Sequence, residues 1–502
     1  MAANHVLSID QGTTGTTVFV FDYTGQAKAQ VYREIKQFYP RPGWVEHDAA
    51  EIWDVTQELI GEALEKAEIS SDQLAAIGVT NQRETTVLWD RETGEPVGRA
   101  VVWQCRRTAA MCEQMKADGL GPTFRKKTGL VLDAYFSGTK IRWMLENDAD
   151  LRSRARQGQL AFGTVDSWLI YNLTGGTVHI TDYTNASRTL LFNIHTLEWD
   201  SELLRLLEIP ASLLPEVRSS SEVYGYTVEA SKVPAGIPIA GIAGDQQAAL
   251  FGQACFDPGM VKATYGTGCF ILMQTGEVPV PSESGLLTTI AWGVGGRICY
   301  ALEGSIFIAG AAVQWLRDEL ELIGTAAETE SLALSVPDTN GAYFVPAFVG
   351  LGAPYWDPYA RGTIVGLTRG VNKRHIVRAA LESVAYQTKD IVGVMSRDSR
   401  IPIDIVRIDG GASVNDFLAQ FQADILNVPV ERPLVAETTA VGAAFLAGLA
   451  VGLWEDQEAL RRTWKAGERM EPNMEEKQRN RLYQGWQQAV RRSLNWEQSR
   501  DA

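Results

Sequence analysis

Two alternating apolar runs flank a loop of glycines and threonines in SIDQGTTGTTVFVFD, residues 8–22. Alternation of this kind predicts two strands, and the Gly-Thr-Thr-Gly loop between them predicts a hairpin turn. The period then changes. Ile52, Val55, Leu59, Ile60, Ala63 and Ala67 recur at helical spacing behind Asp48 and Glu51, which are spaced as a capping box. LAAIGVT and TTVLWD read as strands with NQRE between them. Strands and helices go on alternating, which is the order of an α/β protein. The longest apolar run, Ala440 to Trp454, falls short of the roughly 20 residues that span a bilayer. Its alanines and glycines predict a buried, closely packed helix instead.

The opening pattern returns once. VLSIDQGTTGTTVFVFDYTG has a counterpart in MVKATYGTGCFILMQTG, residues 260–276, where an apolar strand, a Gly-Thr turn and a second apolar strand again end in Thr-Gly. The repeat predicts two related domains, residues 1–250 and 251–502, divided near FGQACFDPG. Each would open with a hairpin whose tip faces a shared cleft. A length of 502 residues agrees with more than one domain.

Composition narrows the partners. A net charge of −15 argues against nucleic acid and anionic membrane surfaces. Any phosphate site must therefore rely on local amides and a metal. Cys105, Cys112, Cys255, Cys269 and Cys299 form no C-x-x-C pair, and the five histidines show no metal-ligand spacing. Neither a disulfide framework nor a structural zinc site is expected. MAANHVLSID has no basic segment followed by an apolar one, so a cytoplasmic, reduced protein is the expectation.

The chemistry gathers at strand ends. The turn Gly12-Thr13-Thr14-Gly15 can aim successive N–H groups and hydroxyls at one anionic oxygen, or can be an ordinary turn. No P-loop occurs, and no G-x-G-x-x-G opens a helix after a strand. Asp10, at the strand end, is placed to hold Mg²⁺ directly or through water. RIDGGASVNDFLAQFQADIL, residues 407–426, reads as strand, Gly-Gly turn and amphipathic helix, with Ser413 and Asp416 at capping-box spacing. Gly410 and Gly411 would admit a flat ligand, with Asn415 in the exposed first turn. Gly310 and Gln314 share one helix face in EGSIFIAGAAVQWLRDEL. A helical glycine there serves either close approach by a ligand or close helix packing.

Asp245 begins a helix in GIPIAGIAGDQQAAL and is either its N-cap or a carboxylate that accepts a proton from an alcohol. A modest base suffices for phosphoryl transfer, whose loose transition state depends more on orientation than on deprotonation. Arg83 and Glu84 are either a solvated pair or, on a cleft-facing strand end, partners of polyol hydroxyls. Trp103 and Phe270 are either core aromatics or walls for the carbon face of such a substrate.

Taken together, NQRETTVLWD, VVWQCRRTA, YFSGTKIRWMLEN, TDYTNASRTLLFNIHTLEWD, AGDQQAALFGQ, TYGTGCF, PAFVGLGAPYWDPYARG and GTIVGLTRGVNKRHIVRAALE resemble the FGGY family of carbohydrate and polyol kinases, over about Val6 to Trp496. The resemblance implies the α/β actin-like ATPase fold, with two ribonuclease-H-like domains and an interdomain cleft. It implies ATP-dependent, Mg²⁺-assisted phosphorylation of glycerol by a cytoplasmic homo-oligomer, a dimer or tetramer. By motif, Arg83, Glu84, Trp103, Tyr135, Asp245, Gln246 and Phe270 would meet glycerol, with Asp245 as catalytic base. Thr13, Thr14, Gly15, Thr267, Gly310, Gln314, Gly411 and Asn415 would meet the nucleotide, and Asp10 the metal. One departure stands out: relatives commonly read G-T-T-S-S-R in the first turn, and Thr17 replaces that arginine. Rival implications are a kinase for another polyol or ketopentose, and an actin-like ATPase that drives assembly.

Overall fold

Both Gly-Thr hairpins form, and each lies in the middle of a sheet. In the computed structural model, which describes residues 3–230 and 232–497, strands His5–Gln11 and Gly15–Asp22 pair antiparallel with Asp10 opposite Thr17. Both faces of this hairpin are largely covered. Ser8 is buried and donates its hydroxyl to Ala440 O at 2.8 Å.

The first sheet runs in the order Ser221–Tyr226, Pro238–Gly244, Leu74–Asn81, His5–Gln11, Gly15–Asp22, Ala27–Glu34. The last three form an antiparallel meander, while Leu74–Asn81 and Pro238–Gly244 run parallel to His5–Gln11. The second sheet repeats the scheme. Met260–Tyr265, Cys269–Gly276 and Arg297–Ile306 make the meander, with Ile405–Asp409 and Val430–Pro433 parallel to its first strand. Leu287–Val294 is added beyond the meander, and an antiparallel strand closes the other edge of each sheet. The internal repeat is thus a repeat of topology.

In open sheets with parallel strands, loops at the carboxyl ends form the ligand crevice. Here that rule brings together the turn after Gln11, the loop after Asn81 and the helix after Gly244.

Helix Ala49–Ala67 starts where predicted. Asp48 caps it, accepting from Ala50 N at 3.0 Å, but Glu51 Oε1 accepts from Lys36 N, so only half of the capping box forms. The alanine-glycine run becomes helix Thr438–Ala450, which comes from the second half of the chain and lies on the first sheet. A Cβ on Gly442 would overlap Ala248 O, and one on Gly78 would overlap Ala443 O. Backbone meets backbone here, which explains why the run carries so little side chain.

Candidate active site

The first turn closes through Gly12 N donating to Gly15 O at 2.9 Å. Its carbonyls are tied back: Gln37 Nε2 donates to Thr13 O and Ile35 N to Thr14 O. Among the described residues, the amides of Thr13 and Thr14 make no hydrogen bond within the protein. The second turn is one residue tighter but is likewise closed on itself with its carbonyl tied back. Gly266 N donates to Gly268 O, while Ala309 N and Ala311 N donate to Thr267 O at 2.9 and 3.0 Å. Thr14 and Thr267 are exposed at the carboxyl edges of their sheets, and no hydrogen bond joins the two turns among the described residues.

Trp103 and Tyr135 sit beside the first turn. Trp103 Nε1 donates to Thr13 Oγ1 at 2.9 Å, and its ring meets that of Tyr135 edge-on with centroids 5.5 Å apart. Both are half-buried, so they are neither core nor free surface.

Arg83 and Glu84 are not a solvated pair, being 2% and 1% exposed. Glu84 has φ of 61°, a left-handed conformation that costs a non-glycine residue roughly 1 kcal/mol. Three donors hold its carbonyl in place: Lys140 Nζ at 3.0 Å, Ser137 Oγ at 3.1 Å and Thr86 Oγ1 at 3.2 Å. Lys140 also donates to Tyr135 O at 2.6 Å, so one buried ammonium braces both residues. Burial pushes its pKa down to about 7.

Charges bridge the two sheets. Arg83 directs Nη1 and Nη2 at Glu303, and Arg188 places Nε 2.7 Å from Glu84 Oε1 and Nη2 2.9 Å from Glu303 Oε1. Burial raises the Glu84 pKa, against the pull of Arg83 and Arg188. Arg83 Nε lies 3.2 Å from Asp245 Oδ1.

Asp245 is the first residue of helix Asp245–Gly252 and not its cap, which is Gly244. Its neighbour Gln246 accepts from Lys262 Nζ, which also donates to Thr264 Oγ1 at 3.0 Å and Phe270 O at 3.3 Å. Burial lowers the Lys262 pKa, although Asp409 and Asp245 oppose this. Burial, then the charges of Asp245 and Glu437, push the Asp10 carboxyl up to about 7.

The remaining predicted residues divide by what holds them. Gly15 is buried, and a Cβ there would overlap Arg33 O. At Gly310 a Cβ would stand 2.6 Å from Gly266 O, so close packing of helix Gly310–Asp318 on the second turn already requires glycine. Gln314 and Gly411 are exposed. The cap of helix Asp416–Leu426 is Asn415, not Ser413: Asn415 Oδ1 accepts from Leu418 N at 2.9 Å, while Ser413 Oγ donates to Gly410 O. Asn415 Nδ2 donates to Thr329 Oγ1 at 3.2 Å.

Glu303, Arg188, Lys140 and Lys262 were not singled out from sequence. A signal existed for two of them, since Lys262 is the one charge of an apolar strand and Glu303 the one charge in the interior of another.

The N-terminal domain model of the FGGY family of carbohydrate kinases matches residues 5–252. The C-terminal domain model of that family matches residues 261–451. Glycerol kinase 2 of Thermotoga maritima is 62% identical over 493 residues, covering 98% of this chain and 99% of its own. The glycerol kinase of Caldanaerobacter subterraneus is 60% identical over 494 residues, with the same coverage. Among solved structures, Plasmodium falciparum glycerol kinase with ADP superposes with a TM-score of 0.94 at 39% identity, covering 98% of this chain and 99% of its own. Gluconate kinase of Lactobacillus acidophilus shares the fold, with a TM-score of 0.86 at 24% identity, over 96% and 95% of the two chains. With both halves matched, this chain belongs to the FGGY family of carbohydrate kinases.

Proposed function

We propose that this protein transfers the γ-phosphoryl group of ATP to glycerol, giving ADP and sn-glycerol 3-phosphate. The observation that carries the reading is the buried Arg83 and Glu84 with the partly exposed Asp245, beside Trp103 and Tyr135, in a chain 62% identical over nearly its whole length to a glycerol kinase.

Arg83 donates to and Glu84 accepts from the hydroxyls, while Trp103, Tyr135 and Phe270 wall the carbon skeleton and Gln246 fixes one end. Asp245 orients the attacking hydroxyl and accepts its proton as the bond to phosphorus forms. The free amides of Thr13 and Thr14, in the turn that Gly15 closes, and the Thr267 turn receive the phosphates. Gly310, Gln314, Gly411 and Asn415 line the nucleoside side.

Among the described residues no three carboxylate, histidine or cysteine side chains converge on a metal position. Magnesium commonly takes only one or two protein carboxylates plus phosphate oxygens, and Asp10, close enough to Asp245 and Glu437 to feel their charge, fits that pattern. Mg²⁺ held by Asp10, directly or through water, would offset charge on the β- and γ-phosphates.

The two units are assigned to residues 1–250 and 251–502, the second lending helix Thr438–Ala450 to the first. No helix among the described residues is long and apolar enough to cross a membrane, and the protein is assigned to the cytoplasm as a homo-oligomer, a dimer or tetramer. A coupled ADP-release assay comparing glycerol with xylulose and ribulose tests the reading. Glycerol should be preferred by orders of magnitude in kcat/KM. Preference for a ketopentose, or polymerisation driven by nucleotide without polyol turnover, would reject it.

A further inference from the structure

Glu303 stands in strand Arg297–Ile306 of the second sheet, opposite Leu272 on one side and Leu287 on the other. Both cross-strand partners are apolar, yet its carboxylate makes three charged hydrogen bonds, all to the first unit. Arg83 Nη1 donates to Oε2 at 2.6 Å, Arg83 Nη2 to Oε1 at 3.1 Å and Arg188 Nη2 to Oε1 at 2.9 Å. Glu303 is 3% exposed, Arg83 2% and Arg188 0%.

The order of contacts gives the role. Glu303 takes both Nη groups of Arg83, which leaves the Nε edge to face Asp245 at 3.2 Å. Arg188 uses one edge on Glu303 and its Nε on Glu84 at 2.7 Å. Two of the charged residues proposed to meet the polyol are therefore held by Glu303, Arg83 directly and Glu84 through Arg188. A fork of two parallel bonds fixes a guanidinium in plane as well as in position. Burial opposes the charge on Glu303, but Arg188 and Arg83 outweigh it and hold its pKa at about 2, so the charge is present at any working pH.

We infer that Glu303 is a positioning residue for the phosphoryl acceptor, holding Arg83 and Glu84 in the orientation that receives the polyol and tying that orientation to the second unit. The inference rests on the proposed polyol site. Buried ion networks are poor evidence for stability alone, so the informative readout is kinetic. A contact made equally to bound substrate and transition state appears in KM more than in kcat.

The test compares the full-length wild-type chain with Glu303→Gln, measuring glycerol KM and kcat by ADP release and ATP Kd by calorimetry without polyol. The expected result is a rise in glycerol KM of at least about tenfold, a smaller fall in kcat and an ATP Kd within about twofold of wild type. A glycerol KM within about twofold, or an equal loss of ATP affinity, overturns the inference. If Glu303→Gln does not fold, Glu303→Asp, which keeps the charge but shortens the reach, is judged by the same criteria. A wild-type chain inert toward glycerol overturns both this inference and the proposed function. An active wild type beside an unaltered variant overturns this inference alone.

Discussion

Arg83 Nε lies 3.2 Å from Asp245 Oδ1, and the Gln246 amide donates to the same oxygen at 2.7 Å. One carboxylate oxygen is thus held by a guanidinium and a backbone amide. No protein group among the described residues bonds the other, Oδ2. This arrangement suits a base that is fixed on one side and receptive on the other. Asp245→Asn keeps the shape but accepts no proton, so kcat should fall by about 10² to 10⁴ while glycerol KM changes only a few-fold. Steady-state kinetics decide it, and a variant with near-wild-type kcat removes Asp245 as the base.

Asp10 carries a cost that its proposed role would justify. Its pKa is about 7 in the folded chain against an ordinary 3.8, so the fold favours the protonated form. Below about pH 4 the group is neutral in both states and has no effect. As pH rises from there to about 7 the unfolded chain ionises more readily, stability falls, and above that range the loss is complete. It amounts to up to roughly 4 kcal/mol in the ligand-free protein. Asp10→Asn should therefore raise Tm at pH 8 and change it little near pH 4, while turnover collapses. A Tm difference that does not vary with pH would show that Asp10 ionisation plays no part.

Thr17 faces Asp10 across the first hairpin. An arginine there would add a positive charge beside the phosphate turn. Attraction between a partly exposed arginine and a bound phosphate is worth up to about 1 kcal/mol, or roughly fivefold in affinity. Thr17→Arg should tighten ADP binding by a few-fold at low ionic strength, with the gain shrinking as salt is added. An unchanged dissociation constant in calorimetric titration would reject a role for that charge.

Two glycine substitutions should move stability in opposite directions. In Gly442→Ala the new methyl group would press on Ala248 O, in the helix that presents Asp245. Overpacking of this kind costs about 1–3 kcal/mol, so Tm should fall, and kcat with it as the helix shifts. Gly393, within helix Lys373–Ser399, has no atom within 4 Å of an added Cβ. Gly393→Ala should raise stability by about 0.5–1 kcal/mol through helix propensity and leave kcat unchanged. Thermal melts of both variants check the pair.

Much of the fold was legible because its signals are local. Apolar alternation closed by Gly-Thr turns marked both hairpins, helical spacing behind Asp48 marked Ala49–Ala67, and alanine with glycine marked the packed helix Thr438–Ala450. The capping-box spacing of Ser413 and Asp416 misled, because Asn415 caps that helix instead. The roll of site residues came through motifs that keep turn, charge and aromatic ring within a few positions of one another.

Only tertiary structure decided what the charges do. Arg83 and Glu84 are adjacent in sequence, and nothing local distinguishes a solvated pair from a buried one. Arg83 meets Glu303 across 220 residues, and Arg188 meets Glu84 across 104. A hydrogen-bond partner that far along the chain leaves no periodicity to read. The sequence by itself determined which strands form and where their turns lie, because neighbouring residues set backbone geometry and burial period. The pairing of buried charges between the two sheets arose when the fold withdrew them from water and left them one another as partners.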